Sequence, residues 1–146
     1  MDDLDYMKEL KGQGFVCSQI LLKMGLELQG KDNPDLIRAI QGLAGGLGYT
    51  GDVCGSLSAG ACLLGMYAGK GTPEDEDDPR LYFMIADLVK WFKQEYGQGN
   101  GAIHCDDIVN NQGTKSIAHC PEIVAATYQK VKDLLVDNGF DLSGMD

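Results

Sequence analysis

Cys17, Cys54, Cys105 and Cys120 are the side chains of this chain best suited to chemistry. A thiolate binds soft metal ions and exchanges disulfides, and the free N–H groups of a helix start favour that form. Cys54, Cys105 and Cys120 each stand where a helix is predicted to begin. Ala102-Ile103-His104-Cys105 leads into one helix and Ile117-Ala118-His119-Cys120 into another, each delivering a thiol with an imidazole beside it. Cys54 follows a glycine-rich loop. Cys17 differs, because GQGFVCSQILL reads as lying inside a helix, with the thiol on a face near Gly14 and Leu21. A helix face meeting three helix N-termini forms a nest of four thiolates, suited to redox or metal chemistry.

Other residues carry weaker signals. The fifth cysteine, Cys62, falls mid-helix in AGACLLG and reads as core packing, since free cysteine is among the most buried residue types. Taken singly, Cys17 suits packing as well as ligation. His104 and His119 could ligate zinc, tune the neighbouring thiols or simply sit in loops. No C-x-x-C is present, which removes zinc-ribbon knuckles and thioredoxin-type motifs, and no C-x-x-C-H for haem attachment. GLAGGLGYTG lacks the lysine of a phosphate-binding P-loop and follows a helix rather than a strand. The acids from Asp75 to Asp78 lack the spacing of a calcium loop.

The elements that must position these thiols are helical throughout. Leu4, Met7 and Leu10 space a first short helix, and Phe15, Ile20, Leu21, Met24 and Leu28 a second from about Gly14 to Leu28. Asn33-Pro34 opens a third, carrying Leu36, Ile37, Ile40 and Leu43. Gly45 to Val53 reads as a tight loop, and Cys54 begins a helix running through Ala68. Gly55, Ser56, Ser58, Ala59, Gly60 and Ala61 make that helix a small-residue element, placed at the centre of the fold. Residues 71–79, with two prolines bracketing five acids, form an exposed acidic linker within a single 1–146 domain. A long amphipathic helix follows from about Arg80, with Tyr82, Ile85, Ala86, Val89, Phe92 and Tyr96 as its apolar stripe. Cys105 to Val109 is a short helix. Cys120-Pro121-Glu122 opens the last, whose buried face is Ile123, Ala126, Val131, Leu134 and Leu135 and which Asn138-Gly139 stops. No strand shows convincing alternation. The expected fold is all-α, a compact bundle of about five to seven helices around a central small-residue helix.

Bulk properties narrow the function. The 146 residues are 44% apolar, enough to bury a core without disulfides. A net charge of −10 argues against nucleic acid and anionic membranes as partners. The acidic start MDDLDYMKEL is unlike a secretory signal, no eighteen-residue apolar run exists, and a cytoplasmic location is expected. In a reducing cytosol cysteines serve more often as ligands or reactive thiols than as structural bridges.

Four cysteine contexts in order, GFVCSQILL, CGSLSAG after the glycine loop, HCDDIV and HCPEIV, give the chain a family likeness. It resembles the redox-active family named for its C…GCAxxG/CGAxxG…C…C pattern, over nearly its whole length. Within the CGAxxG frame Ser56 replaces the alanine and Ala59 the final glycine. The resemblance implies a redox-active protein that can carry a cluster, with no established substrate. Three functions follow for the four thiolates. They could hold an iron–sulfur cluster, expected to be 2Fe–2S, for electron transfer or sensing with a redox partner protein. Zinc in the same site is the redox-silent version. A metal-free dithiol–disulfide switch would use two of them, with Cys54 or Cys120 attacking. A helical interaction scaffold would use none. The first is favoured, because one cluster takes four cysteines. An exposed aromatic helix would also favour a homodimer.

Overall fold

A computed structural model of the chain describes residues 2–97, 103–111 and 120–144. Local capping sets the first boundaries. The Asp2 carboxylate accepts the Asp5 N–H at 2.8 Å and opens helix α1 (Asp3–Gly12), which buries Met7 and Leu10. The helix closes through Gly14, whose φ of +98° is left-handed, with the Phe15 N–H donating to the Leu10 carbonyl at 3.2 Å. Gly14 therefore belongs to the end of α1, and α2 (Cys17–Leu28) begins three residues later than its apolar spacing predicts. Cys17 is the first residue of that helix rather than an interior one.

Helix α3 (Pro34–Ile40) starts with proline at its first turn and the Asn33 side chain accepting the Leu36 N–H at 3.1 Å. A 3₁₀ turn (Gln41–Leu43) and a broken helical turn (Ala44–Leu47) continue it, and the loop expected from Gly45 begins inside the broken turn, where Gly45 and Gly46 leave helical backbone. The remaining helices are α4 (Gly55–Ala68), α5 (Arg80–Tyr96), α6 (Cys105–Asn111) and α7 (Cys120–Asp137). Seven helices and no sheet are present among the described residues; the one β-bridge pairs Val53 with His104. The protein is an all-α bundle.

Helix α4 is the hub, packed against α2, α5 and α7. Small residues let its neighbours close in. A methyl added at Gly60 would lie 3.1 Å from Leu88, 3.2 Å from Thr127 and 3.5 Å from Val131. Gly25 of α2 likewise lies against the Leu63 side chain. Around this hub Leu21, Leu22, Leu63, Leu64, Leu88, Phe92, Val131 and Leu135 are fully buried, each worth roughly 1.5–3 kcal/mol of transfer from water.

The buried stripe of α5 is Met84, Leu88 and Phe92, at a spacing of four, while Tyr82 and Phe83 stand exposed. This corrects the apolar stripe expected for that helix, in which Tyr82 and Ala86 faced inward. The facing follows from packing of Met84, Leu88 and Phe92 against α4 and α7, and at the helix start the Arg80 guanidinium donates to the Asn138 carbonyl at 2.9 Å and lies 3.9 Å from the Phe140 ring centroid. Cys62 is a second correction: it is exposed on α4, not packed in the core. Its neighbours Leu63 and Leu64 take the inward positions. No helix among the described residues is long and apolar enough to cross a membrane.

Candidate functional site

Three thiols are carried to one corner of the bundle by three helix starts. Cys17 opens α2 behind the extended Val16, whose N–H donates to the Gln19 side-chain oxygen at 3.2 Å. The next two side chains fasten this turn to the end of α3. The buried Ser18 hydroxyl donates to the Ile40 carbonyl at 2.8 Å, and the Gln19 amide to the Ile37 carbonyl at 3.2 Å. Both satisfy carbonyls that a helix end leaves without intrahelical partners.

Cys54 is the residue before α4 and is buried; the Ser56 and Leu57 N–H groups favour its thiolate without a side-chain cap hydrogen bond. Gly55 leaves the space that the Cys17 sulfur fills. A Cβ there would stand 2.9 Å from Cys17 Sγ and 2.7 Å from the Leu43 carbonyl oxygen.

Cys105 opens α6 and is pinned to the Cys54 segment by backbone. The Cys54 N–H donates to the Ile103 carbonyl at 2.8 Å, the Cys105 N–H to the Asp52 carbonyl at 2.6 Å, and the Asp106 N–H to the Gly51 carbonyl at 3.3 Å. With the Val53–His104 bridge, these lock the two thiol-bearing segments side by side. The glycine loop is shaped to meet them. Gly46, at φ +76°, lies directly against the Asp52 backbone, a place and a conformation that a side chain would spoil. The Gly46 carbonyl also accepts the Asp52 N–H at 2.9 Å and the Thr50 hydroxyl at 2.8 Å.

The electrostatics follow from burial and proximity. Burial pushes the Cys54 thiol up to about 12, against the Ser56 and Leu57 N–H groups, and charge on Cys17 or Cys105 pushes the same way. Burial, then charge on Cys17 and Asp106, raises the half-buried Cys105 thiol. Charge on Cys17 thus bears on both other thiols, and charge on Cys105 on Cys54. The helix-start donors are present on Cys54, as the sequence implies, but desolvation outweighs them in the metal-free protein. Tyr96, at the end of α5, is raised to about 12 by burial, then by Glu95, Cys54 and Glu122. Sensing both Cys54 and Glu122, it relates the first turn of α7 to this corner.

The start of α7 is at Cys120, whose side chain lies outside the described residues, as does His119. His104 is exposed, its imidazole nitrogens 3.5 Å from an Asp52 oxygen and 3.7 Å from an Asp107 oxygen. It faces acids at the rim. The described cysteines are free. Among the described residues no three His, Cys, Asp or Glu side chains already form a metal-holding group. Sequence reasoning missed Gln19 and Asp52 as positioning residues. Gln19 had a signal, a glutamine three residues into the helix as in a capping box, hidden because Val16 lacks the usual hydroxyl. Asp52 acts through its carbonyl, which any residue supplies.

Fold and site together define an all-α protein that gathers thiols at helix N-termini. The family model described as "Putative redox-active protein (C_GCAxxG_C_C)" matches residues 15–134, and the chain belongs to that family. No curated protein and no solved structure matches it. Ser56 and Ala59, the two departures from the CGAxxG frame, are both buried, so small side chains are kept where α4 is closely packed.

Proposed function

We propose that Cys17, Cys54, Cys105 and Cys120 together hold an iron–sulfur cluster, of the 2Fe–2S type, for one-electron transfer or redox sensing in the cytoplasm. One observation supports this reading: three helix starts bring Cys17, Cys54 and Cys105 close enough for charge on Cys17 to act on Cys54 and Cys105, and charge on Cys105 to act on Cys54. Three soft donors from separate helices suit a thiophilic centre in their chemistry. Thiols that disfavour one another's ionisation are the arrangement a bound cation reverses, since a coordinating thiol is deprotonated outright. The cluster would supply a reversible one-electron couple. The protein's part is to hold the sulfurs, exclude water at Cys54 and offer the Ser56 and Leu57 N–H groups to its sulfur. Cys120, the first residue of α7, would bring the fourth thiol. Zinc fits the same donor set without redox activity.

The dithiol switch is the second reading. A thiol pushed up to about 12 is a poor attacking thiolate, which weighs against Cys54 as its nucleophile. Anaerobic purification with iron, zinc and acid-labile sulfide analysis separates the readings. Equal iron and sulfide with visible charge-transfer bands, lost in Cys54→Ser and Cys105→Ser, are expected. Colourless, metal-free protein whose free-thiol count changes by two on reduction would sink the cluster and leave the switch.

A further inference from the structure

The loop that holds the thiol segments together also carries exposed apolar side chains on an unfavourable backbone. Leu47 and Tyr49 are 47% and 67% exposed, with φ of +63° and +65°. Left-handed backbone disfavours side chains of this kind, and glycine or asparagine would sit there more comfortably. The Tyr49 ring lies directly against Gly45, and Leu47 stands out from the loop. Yet the same loop supplies the Gly51 and Asp52 carbonyls that bind the start of α6, so the loop that carries these side chains adjoins the Cys54 and Cys105 segments.

Three carboxylates stand beside this loop, with the His104 imidazole between Asp52 and Asp107. From residue 39 to 69 and from 94 to 114 the sequence contains no Lys or Arg. Asp52, Asp106 and Asp107 are exposed at this corner, with the Asp106 carboxylate lying directly over Gly51. The surface is thus an apolar contact of Leu47 and Tyr49 with an acidic rim. Such a rim steers and orients a positively charged partner, whose own apolar contact fills the centre.

We propose that Leu47 and Tyr49, rimmed by Asp52, Asp106 and Asp107, form the docking surface for a redox protein with Lys or Arg around an apolar contact. This rests on the thiol corner being the redox site, which the surface adjoins. One electron passes from the reduced site to the partner's oxidised centre. When the acceptor is a ferric haem the iron becomes ferrous and no bond or proton changes place.

The test is an NMR titration of the isotope-labelled full chain, purified anaerobically, with cytochrome c as a lysine-rich probe. Amide shifts concentrated in residues 46–52 and 103–107, weakened by salt, are expected. Leu47→Asn combined with Tyr49→Asn should lower affinity about tenfold, the scale of losing a contact worth 1.4 kcal/mol, without lowering the melting temperature. Shifts elsewhere, or unchanged affinity in that double variant, overturn the proposal. An acidic ferredoxin as probe should give no shifts, and comparable binding overturns it too. The titration is read on metal-free or zinc-loaded chain, in which no paramagnetic iron broadens the amides around Cys54 and Cys105. A chain that proves metal-free yet binds at this loop removes the cluster reading and leaves the docking surface standing. A loaded chain that reduces a small neutral oxidant but maps the probe elsewhere does the reverse.

Discussion

Gly55 governs how closely the Cys17 sulfur can approach the start of α4. Gly55→Ala puts a methyl 2.7 Å from the Leu43 carbonyl oxygen and 2.9 Å from Cys17 Sγ, and the carbonyl belongs to backbone that yields little. It should destabilise the fold by about 1–3 kcal/mol, as overpacking does, read as a lower urea midpoint, and should reduce metal content in anaerobic preparations. An unchanged midpoint would show that Cys17 is not packed where described. Cys54 sets a pH dependence in the metal-free chain. Its folded thiol stays protonated up to about 12, whereas the unfolded thiol ionises at its ordinary value near 9.0. Between those values the unfolded chain has released the proton and the folded one has not, so unfolding gains. The contribution of this thiol is therefore complete below about pH 9 and is lost as pH rises toward 12. Urea midpoints across that window should fall, and fall less in Cys54→Ser. Thiolate absorbance should show one group ionising only with unfolding. At this scale the sequence is partly legible. It identifies Cys54 and Cys105 as helix-start thiols, because local caps and glycines announce helix ends. It misreads Cys17, because the glycine that ends α1 lies within the apolar spacing of α2, and Cys62, because Leu63 and Leu64 beside it compete for the inward face.

Helix α4 explains why small residues cluster between Gly55 and Ala61. At Gly60 the nearest atoms are side-chain methyls of Leu88, Thr127 and Val131, from 3.1 to 3.5 Å away, which can yield by a few tenths of an ångström. Gly60→Ala should therefore be close to neutral, the crowding offset by a helix-propensity gain of about 0.5–1 kcal/mol. Gly60→Val should lose about 1–3 kcal/mol by driving α5 and α7 apart. Urea unfolding of the pair checks this, and equal losses in both variants would refute the described tolerance. The order and type of the helices are legible from apolar spacing and end signals, as at Asn33-Pro34 and at Asn138-Gly139, where the Phe140 N–H closes the helix onto the Leu135 carbonyl at 2.9 Å. The facing of α5 is not. Packing of Met84, Leu88 and Phe92 against α4 and α7 decides it, and no local pattern in α5 records contacts with helices distant in sequence. The broken turn at Ala44–Leu47 is hidden for a related reason. Glycine signals freedom of conformation, while the turn taken depends on the Asp52 backbone and the α6 segment that the loop must meet.

Across the whole molecule, the thiol corner is where helices distant in sequence are joined, and its two sides are unequally held. Helices α2 and α4 are bound by the shared core of Leu21, Leu22, Leu57, Leu63 and Leu64. Among the described residues, the α6 segment is attached through the buried Ile108, the half-buried Ile103 and the short backbone pairing with residues 51–54. Segments with little apolar burial open first in the native state, at free energies well below global unfolding. If Cys105 shares a metal centre with Cys17 and Cys54, loading adds ligand bonds between α6 and the two best-anchored helices. Binding to the folded state alone stabilises it by RT ln(1 + [L]/Kd), about 4 kcal/mol when free ligand is a thousandfold above Kd. Amide hydrogen exchange should then slow by orders of magnitude at residues 103–108 on loading. In the core of α4, already protected to near the global limit, it should slow only as far as global stability rises. Chelation should restore the fast exchange of the α6 segment before the far-UV signal of the bundle declines. Uniform slowing along the chain would mean that α6 opens only with the whole fold. Unchanged exchange at residues 103–108 in loaded protein would place the metal elsewhere and remove Cys105 from the ligand set.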